Sequence, residues 1–476
     1  MTRPLTMLLN EMTMTETTFV KPLSLAESKK KNYINIVKTH FNKKFGSDPS
    51  FYVRAPGRVN LIGEHIDYCG YAVFPMAIEQ DILVAISLNG SNKINLTNVK
   101  ESLYPDFTTS LDVLKIDSLN PKWYHYYLCG FLGMVEHASY DYLSSSSGLD
   151  IAVLGTVPPS AGLSSSSALV CAAALATMHA YSLSVSKLEL ASLSSKCERY
   201  IGTEGGGMDH AISVLAEPGS AKLIEFNPLQ TTNVLLPEGA IFVIANSCVE
   251  INKAATSHYN IRVVECRLAT QILAKACGLN VTEVSKLKDV QEFANIPVDQ
   301  MEKKVKEVLH ENPYSRTEVC QILELSDSEF ETTLLSANTK FLQEFKLYQR
   351  ALHVYQEASR VWRFKEICEK KSETSLLMLG QLMTESHASC RDLYECSHPD
   401  LDELVQLCLK AGALGSRLTG AGWGGCTVSL VPFEKVDNFL VDLKKNYYSK
   451  HFRLQELLDT AIFPTKPGGG AVIYED

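Results

Sequence analysis

Val157-Pro158-Pro159-Ser160-Ala161-Gly162-Leu163-Ser164-Ser165-Ser166-Ser167-Ala168 reads as the end of a strand, a turn of small residues and the start of a helix. Such a turn suits an anion. Glycine and serine let backbone N–H groups approach a phosphate closely, the helix N-terminus adds partial positive charge, and the hydroxyls can donate to phosphate or ligate Mg²⁺. It is neither a Walker A loop nor a dinucleotide fingerprint, since the Lys-Ser/Thr ending and the GxGxxG spacing are both missing. The plain alternative is a serine N-cap on an ordinary helix, which fits most short serine runs, Ser144 to Ser147 among them.

A second constellation runs from Arg54 to Tyr68 and packs Arg54, Arg58, Glu64, His65 and Asp67 around a tight turn between two apolar strands. Polar groups this dense suit sugar hydroxyls, each of which donates and accepts. Any one of these charges alone would fit a solvated loop. In a third, Glu198 to Asp209, the run Gly205-Gly206-Gly207 delivers an acid onto the start of an apolar stretch, where an N-cap aspartate is the plain reading. Two further glycine-rich segments, Gly415 to Gly425 and Gly468 to Gly470, allow close backbone approach to a ligand or to other backbone.

The elements that must position these groups follow from hydrophobic pattern. Strands are expected over 51–53, 73–78, 82–86 and 149–157, with the chain turning through Ala55-Pro56-Gly57. Helices are expected over 167–181 and 187–200, then a strand over 241–245 and a long helix from near Lys253 that carries His258, Arg262 and Glu265. Residues 282–363 are charged and helical in pattern, with Asn312 and Pro313 as breaks, and read as a helical insertion. Helices over 376–394 and 401–411 precede the glycine-rich 415–425 and a strand over 426–431. The expected division is a disordered tail at 1–30, an N-terminal domain at 31–245 and a C-terminal domain at 246–476.

A chain of 476 residues, 45% hydrophobic and 21% charged, is long enough for two domains with sizeable cores. A net charge of −9 leaves no electrostatic footprint for nucleic acid or anionic lipid, so a small-molecule substrate fits better. The 13 cysteines form no CxxC pair and many sit in apolar runs, as expected of reduced, buried thiols in a cytoplasmic protein without a zinc site. No stretch reads as a signal peptide or a membrane span. Without a heptad seam, a monomer is the expectation.

Taken in order, these segments resemble the GHMP small-molecule kinases, and Gly57 to Tyr68 resembles the galactokinase signature. The resemblance runs from about Phe51 to the C-terminus and includes the stretches Phe242 to Arg262, Phe345 to Ala358 and Ser416 to Ser429. Within the family it is most similar to the N-acetylgalactosamine kinases. The resemblance implies an α/β (α+β), two-domain fold with the active site in the cleft between the domains, and ATP with Mg²⁺. It implies Asp209 as the base, or orienting acceptor, for the anomeric hydroxyl, and Arg58 as the stabiliser of charge on the nucleophile and the transferring phosphoryl group. Glu64, His65 and Asp67, with Tyr259, would hold the sugar. Gly162, Leu163, Ser164, Ser165 and Ser166 would line the phosphates, Ser166 and Glu198 would hold the metal, Asn252 and Lys253 would lie near the nucleotide, and Trp123 would stack on adenine.

These roles agree with the chemistry, since phosphoryl transfer needs positioning and charge stabilisation more than covalent help. Ile66, Cys69-Gly70-Tyr71 and His210 depart from the common family pattern, the last beside the acid. The expected acceptor is N-acetylgalactosamine, whose acetamido group adjoins the anomeric hydroxyl and would meet no side chain at Gly205, Gly206 and Gly207. Galactose is the alternative, alone or as one of two acceptors. A non-catalytic sugar sensor would show damage to the phosphate turn or loss of the acid, and the chain retains both.

Overall fold

A computed structural model describes residues 19–118, 120–138, 147–202, 205–250, 257–450 and 458–475. Two sheets organise it. The first has seven strands in the order Leu23–Ser24, Val472–Glu475, Phe51–Ile62, Phe74–Leu88, Leu149–Gly155, Lys93–Asn98 and Phe107–Ser110. It is mostly antiparallel, with parallel pairs where Leu23–Ser24 meets Val472–Glu475 and where Lys93–Asn98 meets Leu149–Gly155. The second is an antiparallel sheet in the order Gly415–Thr419, Cys426–Pro432, Ala240–Asn246 and Ile462–Thr465. Thus Ala240–Asn246 opens the second sheet, while the last strand returns to pair with Phe51–Ile62.

The expected turn at Ala55-Pro56-Gly57 is instead a bulge within one twelve-residue strand, with a register shift between Pro56 and Arg58. Proline donates no ladder hydrogen bond, and a bulge is where a sheet tolerates it. A Cβ on Gly57 would lie 2.7 Å from the Leu163 carbonyl oxygen, so the small-residue turn docks directly on the bulge. The Arg58 N–H donates to that same oxygen at 3.1 Å.

Helix Ser165–Ala180 packs across the Phe51–Ile62 and Phe74–Leu88 strands and against helices Trp123–Ala138 and Lys187–Glu198. Its middle is alanine-rich and buried throughout, which lets Gly130 approach so closely that a Cβ there would lie 2.3 Å from the Val170 carbonyl oxygen. The charged segment after residue 282 forms four short helices and then the long helix Leu347–Lys370, which runs beyond 363. Its Asp327–Thr333 and Arg316–Leu323 helices each begin with a serine–glutamate capping box. All 13 cysteines are unpaired, ten of them buried. Among the described residues no helix is long and apolar enough to cross a membrane.

Where the long helix meets the first sheet the core is polar. Glu357 is fully buried and accepts from Arg360 Nε at 2.7 Å. Burial acts to raise its pKa, but Arg360 and Arg417 outweigh it and bring the carboxyl down to about 2. His353, also fully buried, is pushed by burial from 6.5 down to about 4. The unfolded chain therefore binds a proton at His353 from about pH 6.5 while the folded chain stays neutral to about 4. Stability from this group falls as pH drops through that window, by about 3 kcal/mol over its full width. The Glu357 contribution is present above 4.5 and is lost only as pH approaches 2. Denaturant unfolding at pH 7.5 and pH 5 should show wild type losing about 2 kcal/mol more than His353→Leu. Equal losses would remove His353 as the source.

Candidate active site

Ser164 occupies the N-cap position of the Ser165–Ala180 helix at φ 59°, and its side chain makes no capping hydrogen bond. Its Oγ is buried with no hydrogen-bond partner among the described residues. The plain N-cap reading therefore fails here: the orphan hydroxyl and the uncapped helix start both serve a cavity of ≈ 360 Å³ lined by Gly162, Leu163, Ser164, Ser165 and Ser166.

Asp209 is likewise not a cap. The N-cap of helix Met208–Leu215 is Gly207 at φ 107°, and Asp209 lies one position inside the helix. Its Oδ1 accepts from Arg58 Nε at 2.8 Å, while Arg58 Nη1 donates to the Gly162 carbonyl at 2.6 Å. One guanidinium thus ties the acid to the phosphate turn. The Arg58 side chain is 5% exposed and that of Asp209 17%, so the pair is sheltered but its acid is reachable.

On the far side of this pair lies a smaller cavity, ≈ 30 Å³, lined by Glu64, His65, Asp67, Tyr68, Tyr259 and the Gly205–Gly207 run. Arg58, Asp209 and Ala421 line both cavities. Glu64 Oε2 accepts from Arg417 Nη2 at 2.8 Å, and burial raises its pKa against the pull of Arg417 and Arg58. His65 places Nδ1 2.9 Å from the Tyr68 hydroxyl and Nε2 3.0 Å from the Ala421 carbonyl, so both ring nitrogens already have protein partners. Tyr259 packs its ring 5.6 Å from that of His65, and burial pushes its phenol well above its ordinary range, so it stays protonated and can donate a hydrogen bond.

Glu198 also lines the smaller cavity. Its Oε2 accepts from Ser167 Oγ at 2.9 Å, so the serine hydrogen-bonded to it is one residue beyond Ser166. His210 Nε2 lies 2.8 Å from the same oxygen but out of hydrogen-bond alignment. The hydroxyl and carboxylate oxygens here are hard donors of the kind Mg²⁺ takes, together with phosphate oxygens and water.

The glycine-rich 415–425 segment forms the Gly415–Thr419 strand and then a loop that meets backbone as well as cavity. A Cβ on Gly420 would lie 2.4 Å from the Gly162 carbonyl oxygen, and one on Gly425 2.8 Å from that of Ala161. Gly422, Gly424 and Gly425 also line the larger cavity. Gly470 instead packs on the Val214 carbonyl, and Arg54 pairs with Asp81, both serving the first sheet.

Trp123 lines the larger cavity with Tyr104, Tyr126, Asn98 and Lys100. Its Nε1 donates to the Pro105 carbonyl at 3.0 Å, which fixes the ring plane. Tyr104, Tyr126, Asn98 and Lys100 carry no motif in the sequence: Asn98, Lys100 and Tyr104 lie at the end of the Lys93–Asn98 strand and in the turn after it, and Tyr126 lies on helix Trp123–Ala138. Asn252 and Lys253 fall outside the described residues. Arg417 and Thr419, which hold the Asn60 backbone from beneath, lie inside the quoted Ser416 to Ser429 stretch but declare a role only once folded.

Residues 39–88 match the galactokinase galactose-binding signature, 128–217 the GHMP kinases N terminal domain and 364–449 the GHMP kinases C terminal. The galactokinase of Dictyostelium discoideum is 44% identical over 480 residues, covering 94% of this chain and 95% of its own. This chain belongs to the galactokinase family of GHMP kinases. The galactokinase of Saccharomyces cerevisiae is 36% identical, with 91% and 93% covered. Among solved structures, Lactococcus lactis galactokinase complexed with galactose superposes with a TM-score of 0.70 at 27% identity, covering 92% of this chain and 99% of its own. The expected two-domain α/β fold stands, and the protein is a sugar kinase, a phosphotransferase with a hydroxyl acceptor.

A Cβ on Gly206 would lie 2.4 Å from Asp67 Cγ and 2.5 Å from the Tyr68 nitrogen. Gly206→Ala should therefore displace Asp67 and raise the sugar KM by about tenfold or more with the ATP KM unchanged. Initial rates with each substrate varied in turn would check this, and an unchanged sugar KM would place Asp67 outside the sugar contacts.

Proposed function

We propose that this kinase transfers the γ-phosphoryl group of ATP to the anomeric hydroxyl of a galactose-configured sugar. The observation that carries the reading is that the Arg58–Asp209 pair walls both cavities, the larger beside the phosphate turn and the smaller beside the Glu64–Asp67 turn. Triphosphate in the first and sugar in the second would bring the anomeric oxygen and the γ-phosphorus together at this pair. The oxygen attacks phosphorus, the bond to the β,γ-bridging oxygen breaks, and ADP leaves.

Asp209 accepts the hydroxyl proton, or orients it, late in the transfer as the attacking oxygen becomes acidic. Arg58 lies where negative charge develops on the nucleophile and the equatorial phosphoryl oxygens. Donors at Ser164, Ser165 and Ser166 and the uncapped helix start orient the phosphates. Ser166, on the phosphate turn, and Glu198, which Ser167 already reaches, would hold Mg²⁺, and the ion would supply neutralisation of phosphate charge. The aromatic group of Trp123, Tyr104 and Tyr126 offers ring faces for adenine.

Galactose is the acceptor that the relatives' names and the galactose-binding signature support, which places it ahead of the N-acetylgalactosamine expected from the sequence. N-acetylgalactosamine is retained as a second reading because a Cβ on Gly205 would meet nothing within 4 Å. Gly205 also lines an adjoining cavity of ≈ 510 Å³, which supports room beside the sugar for an acetamido group. Gly206, by contrast, is required by Asp67 and creates no such room.

Coupled ADP-release assays with both sugars at equal concentration decide the order. Higher kcat/KM for galactose supports the first reading, and higher kcat/KM for N-acetylgalactosamine reverses it. Asp209→Asn should lower kcat by about a hundredfold or more on either sugar. Full activity in that variant, or no sugar phosphorylation by wild type, would overturn the mechanism.

A further inference from the structure

We propose that Glu357 and His353, on one face of the Leu347–Lys370 helix, are positioning residues that hold the 63–65 turn in register with the Arg58–Asp209 pair. The inference rests on the reading that Glu64, His65 and Asp67 face the sugar. The turn is strained: His65, a non-glycine residue, sits at φ 62°, and Gly63 at φ 102°. A left-handed residue of this kind persists only where its surroundings over-determine it.

Arg417 and the Ala421 carbonyl hold the side chains of Glu64 and His65, and the grip on the Gly63–Glu64 backbone comes from one helix. Glu357 Oε1 accepts from the Gly63 N–H at 2.9 Å and the Glu64 N–H at 3.2 Å, and from Ser386 Oγ at 2.6 Å. His353 Nε2 lies 3.0 Å from the Glu64 carbonyl oxygen, and its Nδ1 lies 2.8 Å from Ser389 Oγ. A carbonyl only accepts, so Nε2 carries the proton and Nδ1 accepts from the serine. One turn further along, Val361 Cγ2 lies 2.9 Å from where a Gly63 Cβ would be. Positions 353, 357 and 361 are four apart and share a helix face. Both polar sides of the Gly63–Glu64 backbone are therefore clamped by side chains one helical turn apart.

Stability alone does not account for Glu357. A fully buried ion pair is often no more stable than an apolar replacement of similar volume. What an apolar group cannot do is accept two amide hydrogens from a strained turn. The Phe345 to Ala358 stretch, which the family resemblance includes without assigning it a role, contains both clamping residues.

The test is steady-state kinetics with sugar and ATP varied in turn, using the sugar turned over faster, together with hydrogen exchange across residues 61–66. Glu357→Leu should raise the sugar KM about tenfold, leave the ATP KM unchanged and speed exchange at Gly63 and Glu64. Glu357→Gln keeps an acceptor oxygen for the turn but loses the charge beside Arg360, so it should lower Tm yet hold the sugar KM within about threefold of wild type. His353→Leu should raise the sugar KM severalfold, and it carries the test alone where Glu357→Leu does not fold. A folded Glu357→Leu or His353→Leu enzyme with a wild-type sugar KM, or with sugar and ATP KM rising together, overturns the proposal. Asp67→Asn separates the two readings. If it too leaves the sugar KM unchanged, the sugar-site assignment has failed; if it raises the KM while the helix variants do not, only the positioning role has.

Discussion

The ion pair between Arg58 and Asp209 is the contact on which the site depends. Arg58 is buried on a strand of the first sheet, and its guanidinium spends one donor on Asp209 and another on the Gly162 carbonyl, while its backbone N–H reaches Leu163. One residue therefore sets the distance between the acid and the phosphate turn. A buried guanidinium without its carboxylate would be costly, so the pair also constrains how helix Met208–Leu215 can approach the sheet.

This constraint reaches outward through glycines. The bulge at Pro56–Gly57 gives the phosphate turn a surface without side chains to sit on, and Gly420 and Gly425 press on that turn from the other sheet. Helix Ser165–Ala180 presents an uncapped N-terminus to the phosphate turn, a local sacrifice of helix stability of the kind that suits an anion site, while the first turn of Met208–Leu215 carries Asp209 itself. The two halves of the molecule are joined where these requirements meet, and the chain crosses between them more than once, since its last strand returns to the first sheet.

Much of the candidate site was legible as residue types in order. Gly162 to Ser166, Arg58, Asp209 and the Glu64–Asp67 turn are contiguous motifs, and a contiguous motif carries its own backbone geometry. The N-cap readings at Ser164 and Asp209 could be weighed but not decided, because capping depends on whether a side chain turns back to its own helix or outward to a partner. Tyr104, Tyr126, Asn98 and Lys100 were invisible for a different reason. One strand end and its turn supply Asn98, Lys100 and Tyr104 and a helix supplies Tyr126, and only folding brings the two segments to one wall.

The sequence by itself determined the alternation of strands and helices and the short-range chemistry of each loop, since these follow from propensity, periodicity and local spacing, and its motifs carried the resemblance to the family. Tertiary structure alone decided that Ala55-Pro56-Gly57 is a bulge within a strand rather than a turn, that Glu198 meets Ser167, and that the glycines of 420–425 serve backbone contact as well as the cavity. It also decided that a helix some 290 residues away from Glu64 in sequence grips that residue's backbone. The physical reason is common to all of these. A hydrogen bond or a close approach between distant segments is specified by packing of the whole chain, and no local window of residues contains it.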